Sequence, residues 1–232
     1  SAQPFFPFPR RPSFRTTYAR VKLVPASGFN NVSGEIFLEQ GHPQAPVFIR
    51  GLVVGLEPGN HGFHVHAKGQ ISNDCLDAGG HFNPFKVSLL AIQSIYFLKT
   101  VDDNLEIHGD PNASATPFAD GQRHVGDLGN IRTLSRAHAT QVFKIDEVVS
   151  LQKGQTSTIL GKSLVIHQSE DDLGRGGNED SLKTGTAGKR VACGIIEKIY
   201  SKYNHSQSSN QLDIETRWYH NEIRDFRSSE NE

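Results

Sequence analysis

The chain of 232 residues contains no methionine, not even at position 1, and only two cysteines. The first absence reads either as a mature N-terminus at Ser1-Ala2-Gln3 after removal of a leader or as a sequence given without its initiator. The second excludes a disulfide-dense scaffold and leaves room for a single bridge. Net charge is also scarce, with 24 basic residues against 25 acidic ones. That balance argues against a nucleic-acid partner or an acidic substrate for the chain as a whole, and leaves only local basic patches. No run reaches the ~18 apolar residues that cross a bilayer, so no membrane span is expected. Long helical periodicity is rare and glycine is frequent, which favours turns and short strands. No acidic residue precedes Glu35.

What is present falls into three parts. Residues 1–16 form a Pro/Phe/Arg-rich extended arm, since repeated prolines block helix and sheet pairing. A disordered tail, an arm laid on the barrel or on a partner, and a remnant of an organelle-targeting segment are all open readings. Residues 17–201 carry the strand signals. Tyr18–Val24 alternates, with Ala19, Val21 and Leu23 on one face. Gly34–Gln40 carries Ile36 and Leu38. Val47–Leu56 carries Val47, Ile49, Leu52 and Val54, with Gly51 and Gly55 as bulge or turn points. After a turn at 57–60 comes His61–His66. Further strands are expected at Ala137–Ile145, Val148–Leu151, Leu164–His167 and Arg190–Ile196. Short strands with turns about every ten residues predict an all-β sandwich or barrel. Residues 202–232 read as a polar C-terminal tail.

Two long segments interrupt the strands. Residues 67–129 are loop-like yet dense in ligand-type residues (Cys75, His81, His108, His124, Asp127), and residues 168–189 form a second, glycine-rich loop. Loops this long in a compact domain are usually functional or disordered. Just before the first lies Gly62-Phe63-His64-Val65-His66. In a strand, side chains at i and i+2 share a face, so His64 and His66 present two imidazoles side by side. Such a pair suits copper, zinc, iron or nickel, although the pattern alone is a weak signal. Taken singly, Arg190 reads as half of a surface ion pair and Asp171 as a solvated loop carboxylate. Cys75 and Cys193 read as free thiols if the protein is cytosolic. His42, His61, His138, His205 and His220 read as structural or solvated.

Together the motifs resemble the copper/zinc superoxide dismutases. The matching stretches are 62–66, Gly80-His81-Phe82-Asn83-Pro84, His124-Val125-Gly126-Asp127-Leu128-Gly129-Asn130, His167 with 171–179, and Lys183-Thr184-Gly185 leading to Arg190-Val191-Ala192-Cys193-Gly194. They occur in the family's order. The resemblance implies an eight-stranded Greek-key β-barrel with long metal-binding and electrostatic loops. It implies an enzyme that disproportionates superoxide to oxygen and hydrogen peroxide, acting as a homodimer. It implies copper held by His64, His66, His81 and His167, and zinc held by His81, His108, His124 and Asp127. His81 would bridge the two metals and exchange a proton. Asp171 would tie His64 to His108, Arg190 would receive the anion, Lys183 would extend the positive field, and Cys75 would be bonded to Cys193. An inactive dismutase-like domain that binds or delivers copper is the alternative.

One stretch departs from the family's pattern. His81 and His108 stand 27 positions apart, far more than the family needs, and the surplus at about 87–107 is apolar. It reads as a segment docked on the barrel or a subunit interface, as translated intron sequence, or as a lid. Closing the longer loop costs only ~1 kcal/mol. Zinc occupancy is therefore expected to be more vulnerable than copper occupancy. The missing methionine, the cysteine pair and three glycosylation patterns (starting at Asn31, Asn112 and Asn204) favour an extracellular location over a cytoplasmic or organellar one.

Overall fold

A computed structural model of the chain describes residues 15–85, 108–109, 111 and 123–199. Nearly all of the arm, the surplus at 87–107 and the whole of 202–232 lie outside the described residues. The strands are β1 (Thr17–Pro25), β2 (Ser33–Gln40), β3 (Val47–Val54), β4 (Gly59–His66), β5 (Asp127–Thr133), β6 (Thr140–Asp146), β7 (Ser163–His167), β8 (Arg190–Ile195) and β9 (Glu197–Ile199). They pair antiparallel in the order β5-β4-β7-β8-β1-β2-β3-β6. The result is a nearly closed Greek-key barrel. Its ends meet where the Thr133 and Thr140 hydroxyls lie 2.7 Å apart. Seven of the eight expected strands lie on that path, and β5 takes the place of the expected Val148–Leu151 strand. The ninth continues β8 past Ile196 and pairs with β1.

Period-two alternation sets the interior. Ala19, Val21 and Leu23 of β1 and Ile36 and Leu38 of β2 are buried, as expected. Each such side chain removed from water contributes about 1.5–3 kcal/mol before entropy is counted. The expectation for β3 needs correction. Its ladders with β2 and β6 run through Gly51 without a register break. Val47, Ile49 and Val53 therefore point inward, while Val54 is exposed and Leu52 half-buried. Gly51 is required because a Cβ there would run into the main chain of Glu35 and Ile36.

Four further differences bear on the site. Val148–Leu151 forms no strand, only a bridge from Ser150 to Thr158, though Val149 and Leu151 are buried. β5 begins at Asp127, inside what reads as loop, because glycines and a polar start mask its apolar Leu128 and Ile131. A short helix, Glu179–Thr184, sits in the second loop, where the Asn178 side chain accepts from Ser181 N and Gly185 ends it in the left-handed region. The bulges lie elsewhere than expected, between Gly62 and His64 against β5 and between Ile166 and His167 against β8. Bulges re-aim side chains, and both flank predicted ligands. Among the described residues no helix is long and apolar enough to cross a membrane.

Candidate metal centre

β4 is buried on both faces. Phe63 and Val65 enter the apolar core, and His64 and His66 face the covering loops. β7 lies beside β4 and ends at His167. His81 is carried across by a single bridge to His66, fixed by hydrogen bonds from Ala67 N to Gly80 O and from Phe82 N to Val65 O, each 2.9 Å. His124 and Asp127 follow from the turn that opens β5. His108 is held through its own N–H, which donates to Leu182 O at 2.6 Å. Every predicted ligand is thereby brought together and buried. The donor atoms of His64, His66, His81 and His167 lie within 4.8 Å of one another, and so do those of His81, His108, His124 and Asp127.

The hydrogen-bond network fixes which ring nitrogen is left over. His64 donates from Nε2 to Asp171 Oδ2 at 2.8 Å, and His108 from Nε2 to Asp171 Oδ1 at 2.6 Å. His66 donates from Nδ1 to Gly79 O at 2.8 Å, and His167 from Nδ1 to Gly188 O at 3.1 Å. The three rings that burial keeps neutral, His64, His66 and His167, have then spent their one proton, whereas His108 keeps a second on Nδ1, 3.0 Å from Asp127 Oδ1. His66 Nε2 and His167 Nε2 face each other at 3.4 Å as two lone pairs, and His108 Nδ1 lies 3.2 Å from His81 Nδ1. His64 Nδ1 and His81 Nε2 are buried without a hydrogen-bond partner. The converging lone pairs of His64 Nδ1, His66 Nε2, His81 Nε2 and His167 Nε2 suit a cation, while His81 Nδ1 and His108 Nδ1 converge on Asp127 Oδ1 at 2.7 and 3.0 Å. Four imidazoles suit copper, and three imidazoles with a carboxylate make a closed zinc set. The residues therefore fit both ions.

The electrostatics of the two sets differ. Burial first, and then neighbouring His81, push His64 and His66 well below the usual imidazole value, and His167 falls to about 3. Burial also opposes charge on His108, but Asp127 and Asp171 outweigh it and raise that ring to about 10. Burial would raise Asp127, yet His124 and His108 hold its carboxyl well below the ordinary range.

Arg190 is no surface ion pair. Its guanidinium donates to Cys75 O at 2.5 Å, Leu76 O at 3.2 Å and Gly79 O at 2.6 Å. The Cys75–Cys193 disulfide fastens that loop to β8. Arg190 opens onto a cavity of about 450 Å³ also lined by His66, His81, His167, Lys183 and Thr186. Lys183, exposed on the short helix, donates to Glu179 Oε1 at 2.5 Å.

Several contributors escaped the sequence reading. The Asn130 side chain accepts from Asp171 N and donates to Asp171 O, both at 2.8 Å. His61, read from the sequence as structural or solvated, is structural: it is buried with one ring nitrogen 2.9 Å from His167 O and the other 2.7 Å from Glu57 O. Gly185 lies so close to Asp171 and His108 that a Cβ there would sit inside the carboxylate. Asn130 and Gly185 lie within the matching motifs, and that position is their only signal. His42 and His138 are exposed, and His205 and His220 lie outside the described residues.

The copper/zinc superoxide dismutase family model matches residues 32–196. Superoxide dismutase (Cu-Zn) 4 of Dictyostelium discoideum is 44% identical over 168 residues, 72% of this chain and 92% of that protein. The Cu-Zn superoxide dismutase of Candida glabrata is 43% identical over 170 residues, 73% of this chain and 92% of that protein. Superoxide dismutase (Cu-Zn) A of Xenopus laevis is 39% identical with the same coverage, 73% and 92%. Barrel, paired ligand sets and relatives agree, and the chain belongs to the copper/zinc superoxide dismutase family.

Proposed function

We propose that the chain converts two superoxide anions and two protons into dioxygen and hydrogen peroxide, with copper held by His64, His66, His81 and His167 and zinc by His81, His108, His124 and Asp127. The observation that carries this assignment is the shared ligand. His81 belongs to both sets, with Nδ1 beside His108 and Asp127 and Nε2 bare on the other side. Copper, cycling between Cu(II) and Cu(I), supplies the one-electron chemistry, while zinc keeps its oxidation state and fixes ligands.

The chain's own residues do the rest. Arg190 binds and orients the anion. Its partners in the loop are neutral carbonyls, so its positive charge stays available to the cavity. Lys183 adds field at the rim. His81 Nε2 would alternate between ligating copper and holding a proton, which it would give to the peroxide product. Asp171 holds the Nε2–H tautomer of both His64 and His108, which leaves each Nδ1 free to ligate.

A dismutation assay on the metal-loaded full chain tests the reading. Arg190→Ala is expected to lower kcat/KM about 100-fold with both metals still bound. Copper-loaded protein without activity would sink it. No observation among the described residues favours the inactive, copper-binding alternative. Homodimer assembly and secretion complete the proposal. The family resemblance supports the first. The disulfide and the exposed acceptor Asn31 support the second. Sedimentation and intact mass of the natural protein check both.

A further inference from the structure

Arg123 stands immediately before the ligand His124 and is the largest fully buried side chain among the described residues, at 0% exposure. Its Nη1 donates to Asp127 O at 2.7 Å and Val125 O at 3.1 Å, with a longer approach of 3.4 Å to His124 O. Its Nη2 donates to Asp146 Oδ2 at 2.7 Å. Asp146 ends β6, and its Oδ1 accepts from Val148 N and Val149 N at 2.8 Å each. A carboxylate anchored on the barrel thus grips a guanidinium, and the guanidinium grips the turn 124–127. Within that turn the Asp127 carboxylate takes the N–H of His124 at 2.9 Å and of Gly109 at 3.1 Å. The planar fork reaches carbonyls and carboxylate at once, which an ammonium cannot do. A charge pair this deep is strongly destabilising to break on one side, and is weak evidence for stability as such. Its geometry points to placement.

We propose that Arg123, held by Asp146, is a positioning residue for the zinc half of the centre. It touches the main chain of the ligand turn and acts on the ligand side chains through it. Among the described residues, Leu182 and Asp171 hold His108, and of these three holders only Arg123 reaches the main chain of the 124–127 ligand turn. This inference rests on the assignment of His81, His108, His124 and Asp127 to zinc.

The test uses the full chain, stripped and reloaded, as wild type, Arg123→Met, Arg123→Lys and Asp146→Asn. Zinc release to a chromophoric chelator, the visible spectrum with cobalt in place of zinc, and copper content are measured together. Arg123→Met is expected to release zinc about 10- to 100-fold faster and to weaken the tetrahedral cobalt bands, with copper per chain unchanged. Arg123→Lys and Asp146→Asn should fall between it and wild type. Zinc held at the wild-type rate, or copper and zinc lost in equal proportion, would overturn the inference. If Arg123→Met does not fold, the other two variants decide by the same criteria. Wild type that binds neither zinc nor cobalt would sink the site assignment, and this inference with it. Wild type that binds while the variants match it would sink this inference alone.

Discussion

The proposed copper side and the proposed zinc side of the centre draw their ligands from different kinds of chain. His64 and His66 lie on β4 and His167 ends the neighbouring β7, so three of four copper-side ligands are set by a hydrogen-bonded ladder. On the zinc side only Asp127 starts a strand, while His108 and His124 stand in loop chain and are placed by Asp171 and by the Arg123 turn. The copper side is also built of imidazoles that burial keeps neutral, whereas the zinc side couples a depressed carboxyl to a raised His108. One half is geometry held by the sheet. The other is a charge arrangement held by loops, and it has more to lose when a contact is removed.

The largest expected effect comes from Cys193→Ser. The bridge spans 118 residues, and closing a loop of that size stabilises by about 5 kcal/mol in the chain-entropy picture. Urea unfolding should show a loss approaching that size. The bridge lies beside Arg190, so kcat/KM should drop as well, with zinc retained. Zinc lost in step with stability would mean the two halves are not separately held. Asp171→Ala strikes the joint between them. His64 keeps its place on β4, but His108 loses the contact that sets its ring. Zinc affinity should fall about 10- to 100-fold with copper retained, and metal analysis after mild chelation that finds copper leaving first would break the comparison.

Acid should act on the metal-free barrel through the copper side. His167 sits at about 3 when folded and near ~6.5 when unfolded. The unfolded chain therefore binds protons that the folded chain refuses. That contribution is fully present above ~6.5 and is lost as pH falls towards about 3. His108 runs the other way. Raised to about 10, it favours the folded state most below ~6.5, and this fades as pH rises through about 10. The urea midpoint of metal-free protein should fall from about pH 7 towards pH 4. A midpoint that is flat or rises on acidification would contradict the neutral copper side.

The sequence is most informative where local pattern and chemistry coincide. Ala19, Val21 and Leu23 alternate and are buried, and His64-Val65-His66 sits on the strand its spacing requires. β5 was missed because Asp127, Gly129 and Asn130 look like loop, and their strand geometry comes only from pairing with β4. Gly51 read as a bulge because a strand glycine has two explanations, and only the register separates a bulge from close backbone approach. Every residue of the two donor clusters was legible by motif. The holders Arg123, Asp146 and Asn130 were not, since their partners are set by tertiary contacts between residues apart in sequence.

The smallest effect should come from Lys183, and its size separates arrival of substrate from the state of either half. Lys183 is exposed and its ammonium is shared with Glu179, so its net field at the cavity is partly cancelled. Exposed pairs of this kind contribute little and are screened further by salt. Arg190, by contrast, is half-buried against carbonyls, and no carboxylate among the described residues is paired with it. Lys183→Gln should therefore lower kcat/KM only about two- to threefold at low ionic strength. The difference should vanish as the screening length shrinks from ~10 Å at 0.1 M salt to ~3 Å at 1 M. Copper and zinc content should not change, because the helix carrying Lys183 places neither ligand set through that side chain. A deficit that survives high salt would show that Lys183 shapes the site itself. The zinc side would then depend on the second loop more widely than through Asp171 and the Leu182 carbonyl that holds His108.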